Sequence, residues 1–107
     1  MAHNIIYKRV GESNQFDMDF TDLLTSSGDA SLTGASTVTA KDSSGAAAAS
    51  VVGTVSVQTS TTLRAIVQAG ADKEDYTLQF KGIGNVSGQI YIQVLEVRVR
   101  ELIVGNV

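Results

Sequence analysis

The chain has 107 residues, a formal net charge of −3, and no Cys, Pro or Trp. Its length fits one domain with a single modest core, burying roughly 60–70% of the unfolded surface. The lack of Cys excludes disulfide staples and thiolate chemistry, and the eight scattered Lys and Arg offer no basic face for a nucleic-acid partner.

The amino terminus puts Lys8 and Arg9 after a short apolar pair, the reverse of a secretory signal. No apolar run approaches the roughly 18 residues of a membrane span. The expectation is a chain made in the cytoplasm with no membrane partner. Six residues are Phe or Tyr, so the core must come from Val, Ile, Leu and Ala.

Residues 4–10 read as a first strand and Gly11–Asn14 as a turn. In residues 15–20, Phe16, Met18 and Phe20 alternate with Asp17 and Asp19, the pattern of a half-buried strand. These two segments are expected to pair as a hairpin. Asp22-Leu-Leu24 suits a short helical turn or a strand end. Residues 36–42 alternate Val38 and Ala40 with Thr37, Thr39 and Lys41 as a short strand. The four alanines of 46–49 favour helix but are too few to nucleate one, so the run reads as a loop or irregular strand.

Residues 53–59 and 62–69 give two more strands, the second with Leu63, Ala65 and Val67 on one face. The charged connection Gly70–Asp75 leads to a final hairpin, 76–81 and 89–100. Its apolar pattern changes phase at Val94-Leu95, where a β-bulge or a change of sheet is expected. Seven or eight short strands, with turn signals every 8–12 residues or so, predict an all-β sandwich, domain 1–107.

No residue set points to chemistry. His3 is the only His, and one His with no Cys cannot make a tetrahedral zinc site. Asp17, Asp19, Asp22 and Asp29 form an acidic cluster that reads as a solvated face guarding an edge. Gly82-Ile-Gly-Asn-Val-Ser-Gly88 looks like a phosphate loop, yet it lies between strands and lacks the P-loop Lys. It is expected to be a flexible turn. No catalysis, cofactor, metal or small-molecule ligand is expected.

Asp72, Tyr76 and Leu78 resemble the tyrosine corner of immunoglobulin domains, in which the Tyr hydroxyl bonds to upstream backbone and Leu78 takes the place of the second Cys. That resemblance implies an immunoglobulin-like antiparallel β-sandwich. The wider pattern is similar to small immunoglobulin-like structural proteins of tailed bacteriophages. It runs from Phe16-Asp-Met-Asp-Phe through Ser36-Thr-Val38 and Tyr76-Thr-Leu-Gln-Phe to Ile90–Val99. The likeness implies a virion part that contacts other virion proteins: a fibre–tail adaptor, a head–tail connection piece or a capsid decoration protein, assembled as a homo-oligomer.

The expected docking arms are residues 1–9, through Ile5, Ile6 and Tyr7, and 101–107, through Leu102, Ile103 and Val104. The other reading of both is an ordinary edge strand. The alternative function is an immunoglobulin-like carbohydrate-binding or adhesion module, with Tyr7 and Tyr91 as sugar platforms.

Overall fold

The computed structural model of the chain describes residues 4–100. Seven strands form two sheets. The larger has the order β1 (Asn4–Lys8), β7 (Ile90–Val99), β6 (Asp75–Ile83), β3 (Thr37–Lys41). The smaller has the order β2 (Asn14–Asp19), β5 (Thr62–Val67), β4 (Val52–Gln58). A six-residue helix, α1 (Thr21–Ser26), follows β2, so Asp22-Leu-Leu24 is helical. All pairings are antiparallel except β1 with β7, which is parallel.

The core lies between the sheets. Met18, Leu63, Ala65 and Val67 come from one side; Val38, Ala40, Leu78, Phe80, Leu95, Val97 and Val99 come from the other. Each set occupies alternate positions of its strand, as the period of two requires. The rings of Phe16 and Phe80 meet across the core, 5.9 Å between centroids and tilted by 58°, a favoured aromatic geometry. Phe20 and Leu24 bring the start of α1 onto the same core.

Strands β1 and β2 do not form the expected hairpin: they lie in different sheets. Strand β5 is the better partner for β2. It sets Leu63 opposite Met18 on the inner face, and Arg64 opposite Asp17 on the outer. The guanidinium donates to both Asp17 oxygens at 2.8 and 3.1 Å. The outward residues of β1, Ile5 and Tyr7, offer Asp17 no cation.

The phase change in β7 is also not a bulge. Its register with β6 runs unbroken from Asp75↔Arg98 to Ile83↔Ile90. The register shift sits in β4 instead, between Val52 and Val55. Tyr91, Leu95, Val97 and Val99 are buried along one face of β7, with Gln93 in the same phase. Ile90, Ile92 and Val94 therefore point outward.

The alanine run covers an edge. Ala47 bridges Lys41, and Ala48 N–H donates to Ala40 carbonyl at 2.9 Å, so residues 46–48 line the free side of β3 at its Ala40–Lys41 end before a 3-10 turn at Ala49–Val51. In a chain without Pro, this cover blocks pairing at that end of β3. The segment Ile5–Tyr7 is a paired part of β1. Leu102, Ile103, Val104 and His3 lie outside the described residues.

Candidate functional site

Asp29 is separate from the acidic pair of β2 and is 7% exposed. Its carboxylate accepts from Val86 N–H at 3.0 Å, Ser87 N–H at 2.8 Å, Ser87 hydroxyl at 2.7 Å and Tyr91 hydroxyl at 2.8 Å. Asn85 completes the seam. Its Oδ1 accepts from the Ala30 and Ser31 N–H groups, and its own N–H donates to Ser31 carbonyl at 3.0 Å. The β6–β7 turn is thus pinned to the loop after α1 rather than flexible.

Successive backbone N–H groups in a turn form a concavity suited to an anion. The glycine-rich stretch has this property, and the chain's own carboxylate occupies it. The Ser87 N–H and then the Ser87 hydroxyl hold the Asp29 carboxyl at a pKa of about 2, against burial, which pushes it up. Gly84 is required here, because a Cβ would run into the Asp29 carboxylate. A strongly shifted carboxyl often marks an active site. This one is shifted by bonds that bind two loops together.

At the other end of β6, the Tyr76 hydroxyl accepts from Ala71 N–H at 2.9 Å. The ring packs over Gly70, whose φ of +97° and nearness to Val99 and Tyr76 leave no space for a side chain. Leu78 is fully buried, and Asp72 lies exposed on the connection between β5 and β6.

The outer face of the larger sheet has a different character. Of the six exposed large apolar residues among those described, Ile5, Tyr7, Ile90 and Ile92 lie on β1 and β7, and Val86 sits on the adjoining turn at 74% exposure. Tyr7 stacks beneath Arg98, 5.8 Å from the guanidinium carbon, and its hydroxyl accepts from Arg98 at 3.2 Å. Arg98 also pairs with Glu96 at 2.9 Å. A charged rim thus borders an apolar row on one face. Sequence periodicity missed this row, because three apolar residues at alternate positions look the same whether they face in or out.

Tyr91 is buried at 6% exposure with its hydroxyl on Asp29, so it presents no ring to solvent. Asp17 is bound by Arg64, which holds its carboxyl below the usual range. Asp19 accepts from Thr21 N–H at 2.9 Å and Thr21 hydroxyl at 2.6 Å. Among the described residues, no group of three or more His, Cys, Asp and Glu is placed to hold a metal ion. No described helix is long and apolar enough to cross a membrane. A shallow groove of about 360 Å³ lies between β3 and β4, lined chiefly by Val38, Ala40, Ala47, Val52 and Val55. No family model, curated protein or solved structure matches the chain.

Proposed function

We propose that the chain is an immunoglobulin-like, non-catalytic module that docks other proteins, of the kind that builds the virions of tailed bacteriophages. The observation that carries the docking reading is the apolar row on β7 and β1, since large apolar side chains grouped on one face mark interaction surfaces. The shifted carboxyl of Asp29 is consumed by the chain's own donors, which favours a scaffold over an enzyme.

Strand order supports the immunoglobulin-like reading. Strands β2, β5 and β4 follow the B-E-D order, and β3, β6 and β7 follow C-F-G. The first strand joins the second of these sheets instead of the first. Tyr76, at the start of β6, bonds to the upstream backbone as a corner tyrosine does.

The virion part of the proposal rests on the likeness of residues 15–100 to phage structural proteins. Quantitative mass spectrometry of particles released from cells carrying the gene in its native setting tests it. A fixed copy number per particle is expected. Particles that lack the chain, from lysates that contain it, would sink the virion reading.

A further inference from the structure

Among the described residues, the first half of β7 has a neighbour on one side only. Strand β1 pairs only with Leu95–Val99, while β6 pairs with the whole of β7. Among the described residues, no strand borders Ile90–Val94 on the β1 side. Open edges recruit further strands unless charge, Pro or a bulge blocks them. No charged residue occurs from Gly82 to Leu95, and no bulge interrupts the register. The outward side chains of the open stretch are Ile90 at 54% exposure, Ile92 at 40%, and half-buried Val94.

We infer that this edge pairs with the same edge of a second copy, antiparallel about a two-fold axis at Ile92, joining two four-stranded sheets into one. The inference rests on the reading of this face as a docking surface and names the occupant. Self-complementarity selects a second copy. A two-fold interface applies one patch twice, so each residue meets its counterpart's partner. Centred on Ile92, the pairing sets Ile90 against Val94 of the second copy and Ile92 against itself. Every outward contact is apolar, and no like charges meet on the stretch.

The inward residues are already committed. Tyr91 donates to Asp29, and Gln93 donates from its amide to Asp19 carbonyl at 2.8 Å. The strand can gain a neighbour without disturbing them. The other uncharged edge, β4, suits this less well, since its outward residues Thr54 and Ser56 present no apolar row.

An edge of five residues makes a small interface, so dissociation in the range of about 10 to 100 µM is expected. Sedimentation velocity across that range should show the mass rising from monomer to dimer. Ile92→Lys should hold the chain as a monomer at every concentration, with its melting temperature within about 2 °C of the parent. Ile90→Lys should do the same. Because the chain has no Cys, Ile92→Cys is a clean probe. Under mild oxidation it should cross-link to a covalent dimer, whereas Ser56→Cys on the outward face of β4 should not.

A folded parent that stays monomeric to about 1 mM overturns the inference, since edge pairing of this kind falls within millimolar affinity. A trimer, a dimer that survives Ile92→Lys, or a dimer cross-linked from position 56 and not from 92 overturns it equally. A monomer present in virions would remove self-pairing and leave docking intact. A dimer absent from all particles would do the reverse.

Discussion

The Tyr91 hydroxyl donates to the Asp29 carboxylate at 2.8 Å across 62 positions of sequence. It is one of four donors that gather on that carboxylate and tie the β6–β7 turn to the loop after α1. Their combined effect lowers the carboxyl from 3.8 to about 2. A carboxyl depressed on folding stabilises above its unfolded pKa, and that stability fades as pH falls through the folded value. The Asp29 contribution should thus be complete above pH 4 and fade towards pH 2. Urea midpoints against pH should show this limb in the parent chain. Asp29→Asn should lower the midpoint at pH 7 more than Asp19→Asn does, and flatten the limb.

Tyr76→Phe keeps the ring over Gly70 and removes only the acceptor for Ala71 N–H. A lost neutral hydrogen bond at a partly buried site costs about 1 kcal/mol. Denaturant unfolding should show a lower midpoint with an unchanged slope. No change in midpoint would mean that water replaces the hydroxyl without loss.

Lys8 is the one fully buried charged residue in the described chain, its ammonium donating to Arg9 carbonyl at 2.7 Å. Burial lowers its pKa, with Glu12 opposing. A cation depressed on folding costs stability at neutral pH, and the cost is relieved as pH rises through the folded value towards 10.5. Lys8→Met should therefore stabilise the chain at pH 7 by about 1 kcal/mol. The parent's alkaline rise in stability should vanish in the variant. Thermal melts at pH 7 and pH 10 would separate the two chains.

The β4–β5 turn holds Thr59 at a φ of 50° and Ser60 at 63°. A β-branched residue is a poor choice for that region. Thr59→Asn with Ser60→Gly supplies residues that adopt positive φ readily and leaves the Ser60 carbonyl that accepts from Leu32 N–H. The double variant should gain about 1 kcal/mol and melt roughly 4–8 °C higher. Calorimetry reads this directly, and a lower melting point would show that the Thr59 hydroxyl bonds outweigh the strain.

Alternation alone located the strands whose inner residues are uniformly apolar. Phe16-x-Met18 and Leu63-x-Ala65-x-Val67 announce both strand and inner face. In β7 the same logic reads the phase change at Val94-Leu95 as a bulge or a change of sheet, because period two separates two faces without saying which is inside. Partners fix that choice. Asp29 receives Tyr91 and the Asp19 carbonyl receives Gln93, and both contacts span more than 60 positions. The same distance hid the role of the glycine-rich turn. Its glycines read as a flexible turn between strands, and nothing local reveals that an aspartate 58 positions upstream of Ser87 binds its N–H groups. The β1–β2 connection reads as a hairpin turn because the local signal is identical whether a chain folds back or crosses to the opposite sheet.

The parallel pair β1–β7 also governs when this molecule can finish folding. Tyr7 and Arg98 are 91 positions apart yet lie side by side. During synthesis the first strand leaves the ribosome with its only described partner still unmade. Strands β2 to β6 can begin to assemble, but the larger sheet closes only after the last strand emerges. Closure of the larger sheet therefore waits on β7, and for that interval the first strand is exposed to any other chain that offers it an edge.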